Sequence, residues 1–124
     1  MRLLLALAGG ALGSGLRYLG SQGMAARLGL TFPWGTLAVN LAGSFLIGLI
    51  ATLADERGAV GWRLRLFLIT GVLGGFTTFS AFSLETLRLV GQGQPLRAGL
   101  YVAGSVALGL LAAAAGIALG RALA

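Results

Sequence analysis

Apolar residues fill four long blocks of this chain, and short connectors that carry turn-forming or charged residues separate them. The blocks span residues 3–26, 34–54, 65–90 and 96–119. Each block reaches the roughly 20 residues that an α-helix needs to cross a membrane. Pro33 and Pro95 stand at the entries of the second and fourth blocks, where the missing N–H of proline is tolerated. The pattern predicts an all-α membrane protein, a single domain over residues 1–124 with four transmembrane helices.

The beginning of the chain imitates a secretory signal peptide, because Arg2 precedes a short apolar run. The apolar character continues well beyond the length of such a signal, so we expect a first helix that is retained. The connectors are short, and short connectors force neighbouring helices to run antiparallel.

Composition excludes several classes of function. The chain is 57% hydrophobic and 10% charged, whereas a soluble domain carries about 25% charged residues. It has no cysteine, no histidine and three acidic residues, so the usual side chains of metal sites and acid–base catalysis are almost absent. The basic residues lie at the ends of the apolar blocks and do not form one soluble face, which argues against nucleic-acid binding. We therefore expect neither an enzyme nor a nucleic-acid partner.

Glycine accounts for 22 residues, and several glycines lie inside the apolar blocks four positions from another small residue. These pairs are Gly9–Gly13, Ser105–Gly109 and Gly116–Gly120. Helices in lipid associate through close backbone contact, which small residues allow. The pairs predict a tightly packed helix bundle.

The basic residues, all arginines, divide almost evenly between the two ends of the predicted bundle. One end carries Arg2, Arg57, Arg63, Arg65 and Arg121, and the other carries Arg17, Arg27, Arg88 and Arg97. A cytoplasmic excess of basic residues normally sets the orientation of a membrane protein, and here the count is five against four. Either the orientation is decided elsewhere, or the chain inserts in both directions and pairs as an antiparallel, dual-topology homodimer.

The third block contains the stretch GGFTTFSAFSLE, from Gly74 to Glu85, which is unusually polar for the middle of a membrane. Glycine is a poor helix former, and the hydroxyls of Thr77 and Thr78 can bond to nearby backbone, so we expect the third helix to be broken at its middle. A break exposes backbone carbonyls that suit a small hard cation. The candidates are the carbonyl oxygens of Gly74 and Thr77. The alternative is a kink filled by the threonine hydroxyls.

Two phenylalanines follow the expected break. Phe79 and Phe82 are three residues apart and therefore share a helical face, with Ser80 and Ser83 as a neighbouring polar pair. Packing is the common role of such rings. Because the edge of a phenyl ring is electropositive, rings that present their edges can instead stabilise a small anion.

Further polar side chains stand inside the second and fourth blocks. Asn40 is deep in the second block, with Thr36 one turn before it on the same face. A buried amide in lipid needs a partner, so Asn40 is either part of a site or a link between helices. Tyr101 and Ser105 lie one turn apart in the fourth block. All these groups donate hydrogen bonds, and a path lined by them and by ring edges suits a small, partly desolvated anion.

Two charged residues stand near the ends of helices. Arg17 either extends to the membrane interface or lines a positively charged vestibule. Glu85 is expected to pair with an arginine or to cap a loop, and we assign it no role in proton transfer.

Together, these motifs resemble those of the small fluoride channels, the family called Fluc or CrcB. GGFTTFSAFSLE looks like the family's motif in the third helix, GSGLRY is similar to its first-helix motif, and GTLAVNLAGSFLIG to its second-helix asparagine motif. The order, the spacing and the total length agree, and the likeness covers essentially the whole chain.

The resemblance implies a passive channel that exports fluoride across a bacterial or archaeal plasma membrane and so lowers the cytoplasmic fluoride concentration. It also implies an antiparallel, dual-topology homodimer with two pores between the protomers. A structural sodium ion, which is not transported, would lie at the dimer centre. Its ligands would be the backbone oxygens of Gly74 and Thr77 from both chains.

The resemblance further implies which side chains meet the ion. The fluoride pathway would comprise Asn40, Phe79, Phe82, Ser80, Thr36, Tyr101 and Ser105, and Arg17 would stand in the vestibule. Some relatives continue the fourth-helix track with a hydroxyl one turn beyond Ser105, where this chain has Gly109. A water or a backbone group would have to substitute for that hydroxyl.

Two other functions fit a short membrane protein with four helices. A proton-coupled exporter of the small multidrug resistance type needs a carboxylate within the membrane, and the first helix here has no acidic residue. A non-transporting subunit of a larger membrane complex would use the same polar residues only to link its helices.

Overall fold

The computed structural model describes residues 1–56 and 58–123, and this part of the chain contains helices and connectors but no strand. Four helical spans are long and apolar enough to cross a membrane, which confirms the all-α membrane fold. We call them the first to fourth spans, in the order Arg2–Leu28, Trp34–Asp55, Trp62–Gly91 and Pro95–Ala122. The predicted helix ends lie within three residues of these bounds. Arg57, counted above among the arginines of one end, lies outside the described residues.

The third span changes its backbone geometry along its length. Its successive parts are an α-helical turn at Trp62–Arg65, a π-helix at Leu66–Leu73, a short α-helix at Gly74–Phe76 and an α-helix at Phe79–Gly91. Between the last two parts, Thr77 and Thr78 are extended, with φ and ψ of −84° and 156° and of −149° and 119°. We call these two residues the break.

The break falls in the predicted stretch, at the two threonines and not at the glycines. Gly74 and Gly75 remain helical. Position 75 needs glycine for packing, because a Cβ there would lie 2.6 Å from the carbonyl oxygen of Gly10 in the first span. The hydroxyl of Thr78 accepts a hydrogen bond of 3.1 Å from the N–H of Ala81 and so caps the helix that follows.

The spans pack as two parallel pairs, the first span along the part of the third before the break and the second span along the fourth. Glycines make both contacts, as the small-residue pairs predict. A Cβ at Gly13 would collide with the backbone carbonyl of Val72, and a Cβ at Gly116 would collide with the backbone of the second span. The backbones therefore approach as closely as helices of small residues permit.

Replacing Gly13 by alanine should lower the stability of the purified protein by about 1–3 kcal/mol. The added methyl group would overlap backbone atoms, which cannot rotate away as a side chain can. Gly15 is the matched control, since a Cβ there would meet no other atom within 4 Å. Gly15→Ala should leave the thermal unfolding temperature in detergent unchanged or raise it. Equal unfolding temperatures for the two variants would contradict the observed packing of the first and third spans.

Two exposed ion pairs connect three spans at one end of the bundle, which we call the Asp55 end. Arg65 Nε lies 3.1 Å from Asp55 Oδ1, and Arg121 Nη2 lies 2.8 Å from Glu56 Oε1. Exposed pairs of this kind contribute little to stability, because water screens them. Their larger effect is on the charge of this end, because each acidic residue of the second connector already neutralises one arginine.

Candidate functional site

Two cavities meet at the break. The end cavity, of about 620 Å³, lies beside the connector between the first two spans, and Arg17, Thr36 and Glu85 are among its lining residues. The central cavity, of about 420 Å³, lies nearer the middle of the spans. Its lining includes Asn40, Ser44, Phe79, Phe82 and Ser105. Thr78 lines both cavities, so the break stands where one gives way to the other.

Asn40 holds the break in place. Its Nδ2 donates to the carbonyl oxygen of Thr78 at 3.0 Å, and its Oδ1 accepts from the N–H of Thr78 at 2.8 Å. One side chain of the second span thus replaces both hydrogen bonds that Thr78 would make in a continuous helix. The amide is a link between helices, and it also lines the central cavity. Its part in an ion pathway stays a prediction.

The two carbonyls predicted to hold a cation have lost their usual donors. In a continuous helix, the carbonyls of Gly74 and Thr77 would accept from the N–H groups of Thr78 and Ala81. Those N–H groups donate instead to side chains, the first to Asn40 and the second to the Thr78 hydroxyl. Among the described residues no other donor to these two carbonyls is found. Unpartnered carbonyl oxygens at membrane depth fit a hard cation such as sodium.

The alternative of a kink filled by hydroxyls also has an observed counterpart. The Thr77 hydroxyl donates to the carbonyl of Leu73 at 2.9 Å, and that carbonyl accepts the N–H of Thr77 as well. The hydroxyl therefore stabilises the end of the helix before the break. It does not engage the carbonyl of Gly74 or of Thr77, so it accounts for the kink at Leu73, and the binding of a cation by the other two carbonyls stays a prediction.

The phenylalanines after the break differ in their surroundings. Their ring centroids are 5.6 Å apart with planes inclined at 45°. Phe82 packs on Tyr101 at 5.1 Å, whereas Phe79 is 79% exposed. Ser80 is also exposed, and its hydroxyl lies 3.3 Å from the Thr78 hydroxyl. Packing within the chain accounts for Phe82 and leaves the ring of Phe79 uncovered.

The partners of Glu85 differ from the arginine that the sequence led us to expect. It forms no ion pair with an arginine in the described part of the chain. It accepts instead from the hydroxyl of Thr36 and from the hydroxyl of Tyr101, both at 2.9 Å. Thr36 and Tyr101, expected to donate to an anion, donate here to the carboxylate. Tyr101 is only 1% exposed, so it holds Glu85 from within the bundle, while Thr36 and Glu85 line the end cavity.

Ser44 is a site residue that sequence reasoning missed. It lines the central cavity together with Ser105, and neither hydroxyl has a hydrogen-bond partner within residues 1–56 and 58–123. A Cβ at Gly109 would lie 3.8 Å from Ser44 Oγ. The second span therefore brings a hydroxyl to the place where the fourth span lacks one. The available signal was spacing, because Ser44 stands one helical turn after Asn40.

Arg17 lies in the wall of the end cavity, along with Arg88. Its Nε is buried and has no hydrogen-bond partner within the described chain. A buried guanidinium nitrogen without a partner is costly unless an anion or water reaches it. The position favours the vestibule interpretation over extension toward the membrane interface.

Comparison with known proteins finds relatives that match almost the whole chain. A family model described as "CrcB-like protein, Camphor Resistance (CrcB)" matches residues 4–117. A protein of Rhizobium meliloti (strain 1021) is 53% identical over 121 residues, which are 98% of this chain and 97% of that protein. A protein of Sphingopyxis alaskensis is 50% identical over 117 residues, or 94% of this chain and 93% of that one. Both carry the name "Fluoride-specific ion channel FluC".

Proposed function

The chain belongs to the CrcB-like protein family, and from that membership we propose that it is a fluoride-specific ion channel. The observation that carries the proposal is the likeness, over nearly the full length of both chains, to relatives named for this activity. Conduction forms and breaks no covalent bond, so the protein is not an enzyme. It is a multi-pass protein of the bacterial plasma membrane, where passive export lowers the cytoplasmic fluoride concentration.

The cavities support a route for the anion. Arg17 gives the end cavity a positive charge that attracts fluoride from water. In the central cavity the hydroxyls of Ser44 and Ser105 are free to donate to the ion, and Phe79 and Phe82 offer ring edges. Hydroxyls and ring edges replace part of the hydration shell without a fixed positive charge that would trap the ion.

A second copy of the chain completes the site in this proposal. Phe79, Ser80 and the backbone of Gly74 are exposed on one chain although they stand at mid-depth in a membrane span. Lipid supplies no hydrogen bonds there, so the hydroxyl of Ser80 and the backbone of Gly74 need protein around them. An antiparallel partner would cover them and form a pore on each side, and the even division of arginines supports insertion in both directions.

Sodium would bind where the two copies meet. The carbonyl oxygens of Gly74 and Thr77 from both chains supply the hard oxygen ligands that the ion prefers. The ion would neutralise the four carbonyl dipoles and hold the two breaks together. No side-chain carboxylate is needed for this.

Replacing sodium by the bulky cation N-methyl-D-glucamine should lower both fluoride efflux and the thermal unfolding temperature, because a ligand of the folded state stabilises that state. The Thr77→Val variant is the matched control: it keeps the carbonyl and removes the hydroxyl, and it should still respond to sodium. If the valine variant loses the sodium response, the hydroxyl and not the carbonyl is the ligand.

Fluoride efflux from liposomes tests the proposed function directly. Purified protein is reconstituted, and release is followed with a fluoride electrode while chloride serves as the parallel anion. We expect rapid fluoride release with chloride retained. Fluoride retained by liposomes that contain folded protein and sodium would refute the channel and leave the polar residues as links between helices, as a non-transporting subunit would use them.

Ser44→Ala should slow fluoride efflux by about tenfold, since one hydrogen bond to a charged group contributes about 1.5 kcal/mol or more. Ser83→Ala is the matched control, because the Ser83 hydroxyl bonds to the carbonyl of Phe79 within its own helix at 2.9 Å. The control should conduct at the normal rate. Equal efflux from the two variants would remove Ser44 from the pathway.

A further inference from the structure

The Asp55 end carries a cluster of cations around an aromatic ring, and its residues line neither cavity. Arg2 begins the first span, and Trp62 and Arg63 begin the third. The guanidinium carbons of Arg2 and Arg63 lie 5.4 Å and 5.1 Å from the centroid of the Trp62 ring. Trp62 is 52% exposed. We call these three residues the arginine–tryptophan cluster.

Among the described residues, no acidic side chain serves as a counterion for the cluster. The two acidic residues of this end are already bound to Arg65 and Arg121. Within the described residues, Arg2 and Arg63 form neither a hydrogen bond nor an ion pair. The local charge therefore calls for an anion from outside the chain.

The position of the cluster decides which anion it meets. Arg2 and Trp62 are the first residues of two membrane spans, so the cluster stands where the chain leaves the hydrocarbon. Tryptophan is enriched at this level, and this is also where lipid phosphates lie. A guanidinium binds phosphate through two parallel N–H···O bonds.

The two arginines can act on one headgroup. Because both guanidinium groups contact the same ring, they are no farther apart than the sum of their two distances to its centroid. The ring also restricts their motion through cation–π contact, which reduces the entropy lost when a ligand binds. Arg27 and Arg97, at the other end of the bundle, are exposed and have no such ring contact among the described residues.

We propose that the arginine–tryptophan cluster is a binding site for the phosphate headgroup of an anionic phospholipid. Phosphatidylglycerol has the required chemistry, with one net negative charge and no cationic group. A zwitterionic headgroup brings an ammonium group that two unpaired arginines repel, so the site discriminates by net charge. The proposal concerns the lipid neighbours of the protein and does not depend on which ion it conducts.

Native mass spectrometry of the detergent-purified protein, titrated with phosphatidylglycerol or phosphatidylcholine, tests the site. Arg2→Gln with Arg63→Gln should weaken phosphatidylglycerol binding by about fivefold for each arginine removed. The matched control, Arg27→Gln with Arg97→Gln, removes the same charge at the other end and should bind as the unchanged chain does. Equal weakening in the two double variants would overturn the proposal, because binding would then follow overall charge alone.

A second measurement stays informative if the double variant does not fold. The chain has two tryptophans, so Trp34→Phe leaves Trp62 as the single fluorophore. Phosphatidylglycerol brominated near its headgroup should quench Trp62 more strongly than equally brominated phosphatidylcholine at the same mole fraction. Equal quenching would overturn the proposal. Inorganic phosphate added in detergent without lipid should leave the fluorescence unchanged, and a shift there at millimolar phosphate would identify a free-phosphate site instead.

Discussion

The variant in which Phe79 and Phe82 are both replaced by isoleucine is expected to release fluoride from liposomes about 100-fold more slowly than the unchanged chain. An oriented aromatic contact contributes up to about 1.5 kcal/mol beyond its buried area. Two ring edges therefore account for roughly two powers of ten in rate. Isoleucine stays apolar and fills much of the same volume, so the bundle should still assemble.

The control for this double variant makes the same chemical change outside both cavities. Phe67 lies in the π-helix of the third span and lines neither cavity. Phe67→Ile should conduct normally, and size-exclusion chromatography should give both proteins the same assembly state. Unchanged fluoride flux in the double variant would mean that the rings pack and do not conduct. The main evidence that the central cavity is part of the fluoride pathway would then be lost.

Replacing Asn40 by alanine should have the largest effect on stability, about 2–6 kcal/mol. The change leaves both the N–H and the carbonyl of Thr78 without partners, and each buried orphan group costs about 1–3 kcal/mol. Fluoride efflux should fall below detection, because the break positions Thr78 between the two cavities. The measurements are thermal unfolding in detergent and efflux from liposomes that contain equal amounts of folded protein.

The Asn40→Asp variant distinguishes the structural role of Asn40 at the break from its role in the ion pathway. The carboxylate can still accept from the N–H of Thr78, but it places a second oxygen against the carbonyl that now lies 3.0 Å from the amide nitrogen. It also brings a negative charge to the central cavity. We expect a smaller loss of stability than in the alanine variant and an equally complete loss of fluoride flux. Normal flux in the aspartate variant would restrict Asn40 to its structural role.

The spans could be predicted because apolar length is a local property of the sequence. The break could be predicted for the same reason, since hydroxyl and glycine residues at mid-depth are conspicuous. The π-helix at Leu66–Leu73 gave no such signal. Its residues are mostly apolar and suit an ordinary α-helix, and its geometry accompanies the close contact of the third span with Gly9 and Gly13 of the first.

The partners within the site were beyond sequence reasoning. A buried amide at position 40 requires a partner, but nothing local indicates that the partner is the backbone of Thr78, 38 residues away. Glu85 was expected to pair with an arginine or to cap a loop, because charge and position are the only local guides for an acid near a helix end. Its actual donors, Thr36 and Tyr101, come from two other spans, 49 and 16 positions away. Such pairings depend on the order in which the helices pack.

The division of the third span at the break also orders the assembly of the chain during synthesis. Its part before Thr77 packs on the first span, whereas its part after Thr78 contacts chiefly the fourth. A ribosome supplies these segments from the amino terminus, so the earlier half finds its neighbour as soon as it enters the membrane. The later half has to wait until Pro95–Ala122 has been made. Until then, Glu85 lacks its bond from Tyr101, so the cluster of Thr36, Glu85 and Tyr101 is completed only when the last helix has been made.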